Sequence, residues 1–282
     1  MEDRIQYISL DELKPFPGHP FQIRDDDAMR DTVDSIKEYG VLVPAIVRPC
    51  EGSGYEIVSG HRRKYASELA GLKTMPVIVR ELDRDAATVV MVDSNLQREN
   101  ILPSERAAAY KMKLEALKRQ GERNDLTSAQ VVPKLTAREK VAEDAGVNRM
   151  EVTRYVRLTE LQPELQKMVD EKKIAITPAV EISYLKPDEQ KLLLDTIESE
   201  QATPSLSQAQ RMKKLSQSGE LNDDTILGIM MEQKKPERMD ITIPAEVLQK
   251  YFPRSYTPQK MQETIIKLLE GWQRKRRQNL QR

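Results

Sequence analysis

Two short segments of this 282-residue chain carry side chains whose types and order suit the handling of phosphates. The first is Ser59-Gly60-His61-Arg62-Arg63, which follows an apolar strand pattern, Tyr55-Glu56-Ile57-Val58. Glycine at the end of a strand lets backbone approach a ligand closely. Arginines on the first turn of the following helix stand where unbonded N–H groups already favour an anion. The second segment is Ser94-Asn95-Leu96-Gln97-Arg98-Glu99, placed where the apolar helical run Val89-Val90-Met91-Val92 gives way to polar residues. Together Gly60, His61, Arg62, Arg63, Ser94, Asn95 and Arg98 make a candidate polyphosphate site. Arginines at a helix start are often only solvated, so this pattern is weighed with its surroundings.

A third segment has the spacing of a helix-turn-helix over residues 136–158. Thr136-Ala137-Arg138-Glu139 reads as a capping box, Val141 and Ala142 face inward, Gly146 makes the turn, and Asn148-Arg149-Met150-Glu151 starts a second helix. In that helix Val152, Tyr155 and Val156 supply the packing face. Arg149, Thr153 and Arg154 are the candidate groove-facing residues, with Asn148 at the helix start a further candidate DNA contact and Arg157 directed at phosphate. Such helix pairs also occur as plain structural units; the exposed arginines favour DNA here.

The elements that must position these residues can be read from periodicity and turn chemistry. A strand at 5–8 leads to a single turn at 10–13, for which Ser9 and Glu12 offer a capping box. After a proline-rich loop, a helix carries Met29, Val33 and Ile36 on one face and ends at Gly40. Segments 41–48 and 55–58 flank Glu51-Gly52-Ser53-Gly54, a hairpin signal, and 74–80 supplies a further buried strand after a helix at 64–70. Pro103 opens a long helix expected to end at Gly121, followed by a polar insertion at 122–135. Helices at 163–172, 178–185 and 187–198 are expected to brace the helix-turn-helix by core packing, and 205–219 is a further helix.

Composition sets bounds. Charged residues make up 32% of the chain and aromatics 5%, which suits a helix-rich, solvent-facing protein more than a compact enzyme. Formal net charge is zero, so any nucleic-acid contact depends on where charges sit. Cys50 is the single cysteine, which rules out an intrachain disulfide and fits a reducing cytosol. The start Met1-Glu2-Asp3-Arg4 is unlike a signal peptide and no long apolar run exists, so a cytoplasmic protein with no membrane partner is expected. From residue 238 the pattern becomes strand (239–243), short helix (244–251) and long helix (257–277), similar to a ribbon-helix-helix. Ile241, Ile243, Leu248, Ile265 and Leu268 would then share one intersubunit core. The tail after Trp272, with Arg274, Lys275, Arg276, Arg277 and Arg282 and no acid, suits an auxiliary, non-specific DNA contact.

The phosphate motifs, together with Phe21-Gln22-Ile23-Arg24 and Tyr39-Gly40-Val41-Leu42-Val43-Pro44 leading into Ile46-Val47-Arg48, resemble the ParB-type chromosome and plasmid partition family. The resemblance is close over about the first hundred residues and continues more loosely through the helix-turn-helix. It implies a multidomain fold: a small mixed α/β nucleotide-binding domain (1–101), an all-α domain containing the helix-turn-helix (102–200), a helical linker (201–236) and a short β-α-α dimerisation segment (237–282). It also implies binding of CTP with Mg2+, recognition of a palindromic centromere-like site in double-stranded DNA, and homodimerisation into a CTP-regulated clamp. A ParA-type Walker ATPase is the implied partner, and association with a nucleoid or plasmid the implied location. Where the family commonly has glutamates, this chain has His61 and Ser94. Both carboxylates that could hold magnesium or orient a water are therefore missing, leaving Asn95 as one oxygen ligand for Mg2+ and at most weak CTP hydrolysis. No catalytic residue is assigned.

Two other readings stand beside this one. Ser-Gly-His-Arg is also similar to sulfiredoxin and to free-serine kinases, but Gly60 occupies the place of the sulfiredoxin cysteine, Cys50 lies ten residues away, and a small-molecule kinase gains little from a helix-turn-helix. The other reading is a helix-turn-helix transcriptional regulator of a mobile element with an inactive nucleotide pocket; the polar set Arg62, Arg63, Asn95 and Arg98 argues against it.

Overall fold

The computed structural model describes residues 4–50, 52–98, 100–125, 135–232, 245–248, 250–253 and 255–280. Its contacts divide into two units, residues 1–232 and 233–282.

In the first unit, β1 (Ile5–Ser9), β2 (Leu13–Lys14), β3 (Ala45–Pro49), β4 (Tyr55–Ser59) and β5 (Thr74–Val79) form one sheet in the order β1-β5-β3-β4-β2. It is mixed: β1 and β5 are antiparallel, as are β3 and β4, whereas β3 pairs parallel with β5 and β2 with β4. The apolar positions Ile8, Ala45, Val47, Ile57, Met75 and Val77 pack into one core cluster with Leu10 and Leu13. A second cluster joins α1 (Asp27–Tyr39) to α2 (His61–Leu69) through Met29, Val33, Ile36 and Ala66. The α1 periodicity is therefore as the sequence suggests, with Asp26 capping the Met29 N–H at 2.9 Å and Gly40 closing the helix.

Several local expectations change. Leu10–Glu12 is a tight 3-10 turn rather than a turn of α-helix, and Ser9 makes no side-chain cap bond, so the proposed capping box is not formed. The hairpin strand begins at Ala45 rather than residue 41. Beyond α3 (Arg84–Leu96), α4 (Pro103–Asp125) continues through Gly121, because one interior glycine costs a helix only about 0.5–1 kcal/mol relative to alanine. The insertion expected at 122–135 lies mostly outside the described residues.

α3 and α4 pack through Ala87, Met91, Val92 and Ala109, in a cluster that also holds Phe16, Phe21 and Val58. Both sides of the boundary expected at 101/102 thus share a core. Farther along α4, Tyr110, Leu114 and Leu117 meet Val141 and Ala142 of α5 (Ala137–Asp144) and Val152 of α6 (Arg149–Leu158). The remaining core is built by α7 (Pro163–Asp170), α8 (Ile176–Ile182), α9 (Pro187–Glu200), α10 (Leu206–Ser218) and α11 (Asp223–Met231). α11 was not anticipated from the sequence. With α10 it buries Ile226, Ile229, Ala209 and Met212 in that core, whereas a helical linker was expected over 201–236.

In the second unit, α12 (Ala245–Leu248) precedes α13 (Pro258–Leu280). α13 leaves Leu268 67% and Trp272 59% exposed, beside exposed Ile266 and Leu269. The strand expected at 239–243, with Ile241 and Ile243, lies outside the described residues, as does the arrangement of the side chains of the basic tail. No helix among the described residues is long and apolar enough to cross a membrane.

Candidate nucleotide pocket and helix-turn-helix

Gly60 is the hinge between β4 and α2. Its φ is +115°, and a Cβ there would lie 2.7 Å from the Ala45 Cβ and 3.2 Å from Arg63 Nη2, so only glycine fits without displacement. The chain then turns directly into α2, whose first residues are His61, Arg62 and Arg63.

The three point to different places. Arg62 lines a cavity of about 470 Å3 with Phe21, Gln22, Arg24, Asp26, Gln97, Arg98 and Glu105. It contacts the Asp26 carboxylate at 3.4 Å. Arg63 turns away: its Nη1 donates to the carbonyls of Val43 and Pro44, each at 2.6 Å, and so fixes the segment that leads into β3. Burial pushes its pKa below the ordinary arginine value.

His61 is interior, 5% exposed. Its Nε2 accepts the Phe16 N–H at 3.2 Å, which puts the ring proton on Nδ1, an atom with no hydrogen-bond partner among the described residues. The His19 ring lies beside it, centroids 3.9 Å apart. Burial, followed by the His19, Arg98 and Lys64 charges, pushes the His61 pKa down to about 3. It is a neutral group supporting the loop that carries Phe16, rather than a cation offered to phosphate.

The second motif also divides. Ser94 Oγ and Asn95 Nδ2 donate to the Met91 carbonyl at 3.0 and 2.8 Å, and Asn95 is buried. Among the described residues no group of three or more His, Cys, Asp or Glu side chains is arranged to hold a metal ion. Gln97 and Arg98 line the same cavity as Arg62. Burial and then the Arg62 charge lower the Arg98 pKa, with Glu105 acting the other way. The Arg98 guanidinium sits 5.8 Å from the Phe21 ring centroid. Thus two guanidinium groups that repel one another line one cavity, next to the N-terminus of α2.

The sequence reading quoted Phe21, Gln22 and Arg24 without assigning them to the site. Glu105 positions them: its Oε1 accepts the Gln22 N–H at 2.9 Å and its Oε2 the Leu102 N–H at 3.0 Å, with Arg24 3.8 Å away. A signal was present in the Phe-Gln-x-Arg run after Pro20, but the partner Glu105 is 83 residues distant from Gln22.

In the helix-turn-helix the capping box of Thr136 and Glu139 is made, and Asn148 Oδ1 accepts the Glu151 N–H at 2.8 Å. Gly146 takes φ +66° in the turn, as a left-handed position requires. Val152 is fully buried, and Tyr155 packs edge-on against Tyr110 at 5.9 Å. Arg154 is exposed and makes no hydrogen bond or ion pair among the described residues. Arg149 reaches Glu139 at 3.4 Å, and Thr153 Oγ1 donates to the Arg149 carbonyl at 3.0 Å. Arg157 is held differently. Its guanidinium donates to Ser183 Oγ and to the Ser183 carbonyl at 3.1 and 2.6 Å, and lies 4.1 Å from the Tyr184 ring centroid, bracing α6 on α8.

A small mixed-sheet domain with a cationic cavity, fused to a helix-turn-helix, defines the class of this protein. Residues 1–96 match the ParB N-terminal domain and residues 124–222 the ParB HTH domain, and the chain belongs to the ParB family. It is 35% identical over 170 residues to Stage 0 sporulation protein J of Bacillus subtilis, covering 60% of this chain and 54% of that protein. The chain spans about half the length of the curated relatives it matches first. The C-terminally truncated ParB of Caulobacter crescentus complexed to the centromeric parS site aligns at 25% identity and TM-score 0.45, over 74% of this chain and 98% of that one. The same protein complexed with CTP-gamma-S aligns at 29% identity and TM-score 0.32, over 67% and 96%.

Proposed function

We propose that this chain is a sequence-specific DNA-binding partition protein whose first domain binds CTP and whose nucleotide state regulates a clamp on DNA. The observation that carries the nucleotide reading is the pair Arg62 and Arg98 lining one cavity beside the α2 N-terminus. Two mutually repelling cations in a cleft are stabilised by a polyanion.

The residues fit a triphosphate better than they fit a protein-held metal. Arg62 and Arg98 would bind and orient phosphate oxygens, the α2 N–H groups would add backbone donors, and Phe21 with Ile101 would exclude water from one side. When bound, Mg2+ would neutralise phosphate charge. Asn95, the oxygen ligand that the sequence suggests for it, is buried, with its amide nitrogen engaged by Met91. Since His61 and Ser94 stand where family glutamates would lie, the reading is one of binding first and of weak hydrolysis at most.

Arg149, Thr153 and Arg154 would read base edges of a palindromic site, with Asn148 helping to fix the helix start. The apolar face of α13 would pair with a second copy, giving the two-fold symmetry that a palindrome requires. A cytoplasmic, nucleoid- or plasmid-associated protein that engages a ParA-type Walker ATPase completes the proposal.

Paired variants test it. Arg98→Ala should abolish binding of labelled CTP while sparing a short duplex from the region flanking the gene of this protein. Arg154→Ala should do the reverse. Equal loss of both activities in either variant contradicts the division of labour. Arg62→Ala, which removes a cavity-lining guanidinium, should leave short-duplex binding intact and prevent accumulation on long DNA closed at both ends; unchanged accumulation removes the clamp.

A further inference from the structure

Lys113 is 0% exposed, at the middle of α4, and its ammonium is shared by two carboxylates from different elements. Nζ lies 2.5 Å from Asp93 Oδ1 and 2.6 Å from Asp144 Oδ2. Asp93 belongs to α3, immediately before Ser94 and Asn95 and one helical turn and a half before Arg98, which lines the nucleotide cavity. Asp144 is the last residue of α5, the first helix of the helix-turn-helix. One buried cation therefore bridges the helix that ends at the pocket and the helix that supports DNA recognition.

A lysine in a protein interior persists only when paired, because removing one partner leaves an incompletely compensated charge in a poor solvent. Asp93 and Asp144 are 41% and 36% exposed, so each carboxylate can exchange Lys113 for water, whereas Lys113 cannot. The asymmetry makes the ammonium the fixed point. If α3 moves relative to α4, the Asp93 bond breaks and the remaining charge pair with Asp144 must carry the whole compensation. The position of α5 is then energetically linked to the position of α3. A parallel pair, Arg119–Asp85 at 2.8 Å, also ties α4 to α3.

We propose that the Asp93–Lys113–Asp144 triad is the element that couples occupancy of the nucleotide cavity to the DNA-binding state of the helix-turn-helix, with Lys113 acting as a positioning residue that touches neither ligand. The inference rests on the nucleotide reading of the pocket. Coupling between two sites is reciprocal, so the factor by which DNA changes the affinity for CTP equals the factor by which CTP changes the affinity for DNA.

The experiment measures Kd for labelled CTP with Mg2+, with and without the duplex flanking the gene of this protein, on the full chain and two variants. The first variant is Lys113→Met, which keeps the apolar stem. The second is Asp93→Asn, Lys113→Met, Asp144→Asn together, which removes all three charges and leaves none uncompensated if the single variant does not fold. Wild type should show a linkage factor of about 5–150-fold. In the variants the factor should fall to about one while CTP alone and duplex alone still bind, a result that a merely structural role would not produce. Wild-type linkage that survives in the triple variant overturns the triad's role and leaves the pocket reading standing. Absence of CTP binding in wild type overturns the pocket reading and the triad's role with it.

Discussion

The cavity of the first domain and the exposed face of α6 are both cationic, but they hold their charges in different ways. In the cavity every arginine is engaged by its own chain: Arg62 with Asp26, Arg98 beside Phe21 and within the influence of Glu105, and Arg24 near Glu105; Arg63, outside it, is held by two backbone carbonyls. On α6, Arg154 extends freely into solvent and Arg149 has only an exposed ion pair, worth little in water. On the proposed reading, a polyphosphate entering the cavity would have to compete with internal bonds, and its binding would shift the elements those bonds hold. DNA approaching α6 meets a face that is already formed. The comparison teaches which of the two sites is suited to sense a state and which to supply an address.

The largest expected effect breaks the built site. Gly60→Ala forces a side chain into a left-handed position with a contact of 2.7 Å to Ala45. Backbone strain of about 1–3 kcal/mol adds to overpacking of similar size, and chemical denaturation should show the loss of stability together with loss of CTP binding. Next comes pH. Both histidines of the chain, His19 and His61, lie ring against ring at the start of α2, and burial lowers both pKa values. For His61 the folded pKa of about 3 is below the unfolded value of 6.5, so below 6.5 the unfolded state binds more protons. Its contribution is complete above pH 6.5 and declines by about 1.4 kcal/mol per pH unit as pH falls toward 3. His61→Gln should flatten that slope in a series of denaturation curves, and an unchanged slope would refute the neutral buried ring.

Smaller effects sharpen the other half of the comparison. Arg154→Ala should weaken binding to the recognised duplex by about 1–3 kcal/mol in a titration at fixed salt, with stability changed by no more than about 0.5 kcal/mol. Thr136→Ala removes one side of the capping box and should lower stability by about 1 kcal/mol without changing which DNA sequence is preferred.

Local signals were the legible ones. Thr136 with Glu139, Asn148 with the Glu151 amide, Gly146 in its turn and the Met29, Val33 and Ile36 face all arise within one or two helical turns, and the sequence spacing alone specifies them. The phosphate motifs were legible as segments but not as geometry. Arg62 and Arg63 are adjacent in sequence, yet one lines the cavity and the other binds carbonyls 19 and 20 residues earlier. Lys113 gave no signal at all, since a lysine within a charged helix reads as solvated until Asp93 and Asp144 are brought to it from 20 and 31 residues away. α11 was missed because its run Ile226-Leu227-Gly228-Ile229-Met230-Met231 is nearly continuous in apolar character and interrupted by glycine, so it lacks a helical period even though Asn222 caps it.

The central claim is that the Arg62 and Arg98 cavity binds a nucleotide. It is tested most directly by measuring binding of labelled CTP, ATP, GTP and UTP to the purified full chain with Mg2+, in the presence and absence of the DNA flanking its gene. The account predicts selective binding of CTP that changes when the DNA is added. DNA binding intact with no nucleotide bound under either condition would contradict it, and would leave a helix-turn-helix regulator whose paired arginines serve only the fold.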